Sequence, residues 1–81
     1  MINVKIKCFS QVKYALGKDE LNLDLKTGTT SLELEKLIRE KADGKLDSVS
    51  LRVAVNQKYA PTETELKDSD EVAFIPPVQG G

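Results

Sequence analysis

The chain's last strand-like run, Val72-Ala73-Phe74-Ile75, is apolar at every position and is followed at once by Pro76-Pro77. A half-buried strand alternates apolar and polar residues. One that is apolar throughout is covered on both faces, which places it in the interior of a sheet. Proline fixes φ and has no N–H to give a ladder, so the proline pair ends the strand. The chain must therefore lay down strands for both flanks of a position that its own end fills.

The flanking strands are legible by their period of two. Ile2, Val4, Ile6 and Cys8 alternate with Asn3, Lys5 and Lys7; Leu21, Leu23 and Leu25 alternate with Asn22 and Asp24. Leu51, Val53 and Val55 alternate with Arg52 and Ala54. Asn56-Gln57 predicts a tight turn into a short strand around Lys58-Tyr59-Ala60, ended by Pro61. Phe9 breaks the first alternation, which predicts a partly exposed ring at that strand's end.

Two helices are expected between strands. Ser10 is the expected cap of a short one through Leu16, with Val12, Ala15 and Leu16 inward and Gly17 ending it. Thr30 and Glu33 have the spacing of a capping box. Leu34, Leu37, Ile38 and Ala42 then mark one helix face, with Gly44 as its expected stop. Glu35 with Arg39, and Lys36 with Glu40, are (i, i+4) pairs expected on a solvated side. Leu66 is the expected anchor of a late loop, and Asp68-Ser69-Asp70 a turn. The sum is α+β: one mixed sheet covered by one main helix. The globular domain is expected over 1–75 and an extended tail over 76–81.

Several functions are excluded or disfavoured. The 81 residues contain no histidine, which rules out Ser-His-Asp chemistry and removes the commonest general base and metal ligand. The net charge is −1 and the basic residues are scattered, so no nucleic-acid footprint is visible. No apolar run approaches the roughly 20 residues of a membrane span, and no signal peptide opens the chain. The lone Cys8 falls on an apolar face and reads as a small core hydrophobe. Asp68, Asp70 and Glu71 lie close enough in sequence to hold a hard cation, but turns favour aspartate for their own reasons. We expect no bound metal and no bound cofactor, and a cytoplasmic protein.

The ending, Pro76-Pro77-Val78-Gln79-Gly80-Gly81, points elsewhere than to a catalytic body. Extended, six residues reach about 20 Å. Glycine offers no side chain to obstruct a narrow passage. Such a tail can carry a terminal carboxylate into another protein.

Three stretches carry a resemblance: Phe9-Ser10-Gln11-Val12, Val53-Ala54-Val55-Asn56-Gln57, and Asp70-Glu71-Val72-Ala73-Phe74-Ile75-Pro76-Pro77-Val78-Gln79-Gly80-Gly81. With this order of elements, the chain resembles the ubiquitin-like β-grasp sulfur carriers, and among them the small subunits of molybdopterin synthase. Ser69 stands where that family often has glycine, and Ile75 where it often has a second aromatic.

The resemblance implies a function without autonomous catalysis. Gly81 would be adenylated with ATP by an enzyme related to the ubiquitin activators. A persulfide donor would then convert the glycyl adenylate to a thiocarboxylate. Pro76, Pro77, Val78, Gln79 and Gly80 would thread into the large synthase subunit, within a heterotetramer of two small and two large chains. There the sulfur would pass to cyclic pyranopterin monophosphate, in molybdenum cofactor biosynthesis. Phe9, Phe74 and Ile75 are the candidate partner-binding residues, although Phe74 fits the core as well. Carriers for thiazole synthesis or tRNA thiolation share the chemistry at Gly81 and stay open, as does a ubiquitin-like protein modifier.

Overall fold

The computed structural model describes residues 1–61 and 63–76. Among them the order is β1 (Ile2–Cys8), α1 (Ser10–Leu16), β2 (Glu20–Leu25), α2 (Ser31–Lys41), β3 (Arg52–Val55), β4 (Lys58–Tyr59) and β5 (Glu71–Ile75). The strands form one five-stranded sheet in the order β2-β1-β5-β3-β4. The last strand is the central one, as its two-sided apolarity requires. It pairs parallel with β1 and antiparallel with β3, and the outer pairs β1–β2 and β3–β4 are antiparallel. This is the expected α+β β-grasp architecture.

Period two sorts the side chains. Val4, Ile6, Cys8, Val53, Val72 and Phe74 are buried on the face that also meets Leu34, Ile38 and Ala42 of the main helix and its end. Val12, Leu46 and Leu66 complete the core from α1 and two connections. Thr30 and Glu33 form the full capping box that starts α2. Cys8 is 4% exposed; burial pushes its thiol pKa up, helped by the negative charges of Asp19 and Glu20.

Three local readings are corrected. Ser10 does not cap α1: it is the first helical residue, and Phe9, in extended backbone, holds the cap position without a side-chain bond. Ser10 itself has φ 50°, so the chain reverses more sharply there than a capped start would allow. Gly44 is not the first residue past α2; Ala42 caps it, and Asp43 enters the left-handed region before Gly44 does. Glu35 and Arg39 do pair, at 3.0 Å, but on a covered side. The Arg39 guanidinium donates to the carbonyls of Leu46 and Val49 and so straps the loop after α2 onto the helix. Among the described ion pairs, Lys36 and Glu40 do not meet.

The position of β5 is fixed by a polar clamp. Asn56 and Gln57 have φ of 52° and 71°, the primed turn that suits a two-residue hairpin between β3 and β4. Asn56 Nδ2 donates to Asp70 Oδ1 at 2.9 Å, and Asn56 Oδ1 accepts from the Glu71 N–H at 2.9 Å. Asp70, 9% exposed, also accepts from the Lys67 N–H at 2.8 Å, and Asp68 accepts from the Asn3 N–H at 2.7 Å. Ser69 takes φ 70° at the tip, a left-handed angle that glycine would adopt without strain. The carboxylates of this turn therefore tie β5 to β1 and to the β3–β4 hairpin.

Asp70→Ala is expected to cost about 1–3 kcal/mol in urea unfolding, because it removes the acceptor of two part-buried bonds, from Asn56 Nδ2 and from the Lys67 N–H. Asn56→Gly is expected to be milder than Asn56→Ala by roughly 1 kcal/mol, since only alanine must also be forced into the left-handed region. Cys8 is expected to react with a thiol reagent more than tenfold slower in the native protein than in denaturant, by roughly the margin that burial and a raised pKa imply. Equal rates would remove Cys8 from the core.

Candidate functional site

Residues that point away from α2 form the open face of the sheet. The register lines up Glu20, Lys7, Ala73, Ala54 and Tyr59 as one row across all five strands. At about 4.8 Å per strand this row is roughly 19 Å wide. Its middle is floored by two alanines, so it is low. Its sides are higher. Tyr59 stands at one side, 61% exposed. Phe9, in extended backbone just past β1, takes the outward place after buried Cys8 and is 48% exposed. Ile75, the outward residue at the end of β5, is half-buried. Together with Lys7 they bound a depression of about 680 Å³.

The depression lies where β5 ends. Ile75 is its last residue, Arg52 is the Cα partner of Ile75 on β3, and half-buried Pro76 follows. On the other flank, Cys8 is the partner of Phe74, which brings Phe9 to the level of Ile75. The chain therefore leaves the sheet between Phe9 and Arg52. Pro77, Val78, Gln79, Gly80 and Gly81 lie outside the described residues.

The far rim is polar. Lys7 Nζ donates to Glu20 Oε1 at 2.9 Å, and Lys13 pairs with Asp19 at 2.8 Å. The hydrogen bond and charge of Glu20 raise the Lys7 pKa and lower that of Glu20 in turn. The Lys13 pKa is raised by its bond to Asp19. The shifts of Lys7, Lys13 and Glu20 each favour the charged form. The face can hold an apolar projection against a charged border. Cys8, the thiol among its lining residues, is buried with a raised pKa.

Of the three candidate contact residues, Phe9 and Ile75 sit together at the depression. Phe74 does not: it is 0% exposed and packs into the core, so it has no surface to offer a partner. Period two decides this, because Phe74 and Ile75 are neighbours in sequence and must face opposite ways. Tyr59, Arg52 and the alanine floor were missed from sequence. The signal for them was present in the alternation of β3, which turns Arg52 and Ala54 outward. A two-residue turn at Asn56-Gln57 then sets Tyr59 opposite Ala54.

Known proteins resemble this chain in sequence and in fold. A model of the ThiS family matches residues 6–81. The molybdopterin synthase sulfur carrier subunit of Haemophilus influenzae is 36% identical over 83 residues, covering 100% of this chain and 100% of that one. The structure of a putative molybdopterin converting factor, subunit 1, from Pyrococcus furiosus superimposes with a TM-score of 0.86 at 28% identity, over 96% of this chain and 100% of that one. A chain from the complex of subunits 1 and 2 of the molybdopterin-converting factor of Helicobacter pylori gives 0.69 at 24% identity, over 99% and 100%; that likeness is one of fold. With the family model reaching from the middle of β1 to Gly81, and a relative matched from end to end, the chain belongs to the ThiS family.

Proposed function

We propose that this chain is the sulfur carrier subunit of a molybdopterin synthase, with Gly81 as the atom-bearing end. The observation that carries this reading is the end-to-end match, 100% of each chain, to a protein of that name. The geometry of the open face agrees with it. A carrier needs a body that binds and an end that reaches, and it needs no acid, base or nucleophile of its own.

In this reading the glycyl carboxylate attacks the α-phosphate of ATP in an activating enzyme, releasing pyrophosphate and leaving an acyl adenylate. A carboxylate at neutral pH resists sulfide; the mixed anhydride does not, since AMP is a good leaving group. The outer sulfur of a persulfide on the donor displaces AMP and forms an acyl disulfide. A second cysteine thiolate, of the donor or the activating enzyme, then cleaves its S–S bond, leaving a terminal thiocarboxylate here and a disulfide on those proteins. The body then docks on the large synthase subunit through Phe9, Ile75 and Tyr59, with an apolar side chain of the partner seated over Ala54 and Ala73. Pro76, Pro77, Val78, Gln79 and Gly80 thread inward, and the large subunit supplies the groups that pass sulfur to the pterin precursor. The carrier leaves with a plain carboxylate and is loaded again. The domain over 1–75 serves as the binding body and 76–81 as the delivered segment.

Deleting Gly81, or adding one residue after it, is expected to abolish loading. Intact mass after incubation with activating enzyme, ATP and sulfur donor should then lack the gain of sulfur for oxygen that the parent chain acquires. Circular dichroism should stay unchanged in both variants. Loading of either variant would overturn the reading, and mass ladders of conjugates on lysines would favour a protein modifier instead. Phe9→Asp is expected to weaken large-subunit binding by about 30-fold or more, the scale of an aromatic anchor. Because that ring is half outside the core, the unfolding midpoint should move little.

A further inference from the structure

The carrier reading explains the apolar half of the open face but gives Arg52 no task. The other cations of this face are compensated: Lys7 and Lys5 lie 2.9 and 4.0 Å from Glu20, and Lys13 lies 2.8 Å from Asp19. Among the described residues no carboxylate lies within 4.0 Å of Arg52, and no hydrogen bond leaves its guanidinium. It is not loose, however. Its central carbon sits 4.2 Å from the centroid of the Tyr59 ring, within the range of a cation–π contact. The ring takes one side of a planar group whose forked N–H donors match a carboxylate. Side-chain entropy is thereby spent before any partner arrives.

Its place gives this charge a meaning. Arg52 is the strand partner of Ile75, the residue just before Pro76. A protein that takes the tail into a channel must bring the mouth of that channel against this point. Closing an apolar contact around an unpaired guanidinium is unfavourable, because the charge loses water and gains nothing. A surface that fits here must therefore present a carboxylate beside its apolar projection. We propose that Arg52, held by Tyr59, is a charge-specific docking point for an aspartate or glutamate at the mouth of the tail channel of the large synthase subunit. The proposal rests on the carrier reading and adds to it a chemical identity for the partner's rim.

The test measures binding of the full chain to its large subunit, at about 0.05 and 0.5 M salt, where screening differs strongly. Arg52→Glu is expected to weaken binding by about tenfold or more at low salt, and to lose most of the salt dependence of the parent. Arg52→Lys keeps the charge without the fork and should fall between. Lys58→Glu makes the same change of net charge from the neighbouring edge strand, and is expected to cost less than about threefold at this range. Arg52 is exposed, so folding is checked simply by an unchanged unfolding curve. Binding of Arg52→Glu within twofold of the parent would overturn the proposal, as would equal losses for Lys58→Glu. A loss confined to adenylation by the activating enzyme would overturn it too, since the carboxylate would then belong to another protein. If the unaltered chain fails to bind the large subunit at all, the carrier reading falls first and this proposal with it.

Discussion

The central place of β5 is the constraint from which the rest of the structure follows. Among the described strands it comes last in the chain and lies between the two outer pairs, with β1 on one flank and β3 on the other. Its parallel pairing with β1 joins the two ends of the sequence, so the sheet closes only when nearly the whole chain is present. Loop-closure entropy opposes such a contact, and local pairing cannot pay for it in advance. Burial does the work instead. Val72 and Phe74 are 0% exposed, and Val4, Ile6 and Val53 surround them. The polar clamp adds direction to this non-directional force. Asn56, Asp68 and Asp70 satisfy specific donors on β1, β5 and the turn, so a slip by one residue would break them all at once.

The same strand fixes the geometry of the open face. Because side chains alternate, burying Phe74 turns Ala73 and Ile75 outward. Pairing with β3 puts Ala54 beside Ala73, and the hairpin puts Tyr59 beside Ala54. The low floor and its aromatic wall are thus consequences of register. Phe9 obeys the same rule: in extended backbone after buried Cys8 it takes the outward place, and the left-handed Ser10 then turns the chain into α1. A short helix with no side-chain cap is a weak element by itself, and its packing through Val12 is what holds that turn in place.

What could be read from sequence divides along physical lines. Patterns set by one element's own period were legible: all five strands, the capping box at Thr30 and Glu33, and the central place of the final strand. Features set by contacts between distant segments were not. Glu35 and Arg39 have helical spacing, but only the fold lays the 42–50 loop over them and turns a surface pair into a strap. Ser10 has the right chemistry for a cap, yet the tight exit from β1 leaves no extended residue there to act as one. Gly44 was a reasonable stop, but Asp43 could take the left-handed angle first. Phe74 was undecidable from its own position, because a strand apolar on both faces gives no clue to which face is core. Arg52 and Tyr59 become a pair only through the hairpin.

A carrier of this kind meets two demands that pull against each other. The delivered end must be free enough to enter one pocket after another, and its starting point must be fixed enough for each partner to find it. Placing the exit at the end of the central strand reconciles them. Pro76 begins where the ladder stops, since proline has no N–H to extend it. An exit from an edge strand would fray with that strand, and the docking face would lose its fixed relation to the tail. An exit from a long loop would keep the reach but scatter the starting point, and each partner would have to order the loop on binding. The energy that stabilises the fold is in this way the same energy that holds Ile75, and with it the chain's point of exit from the sheet, in place.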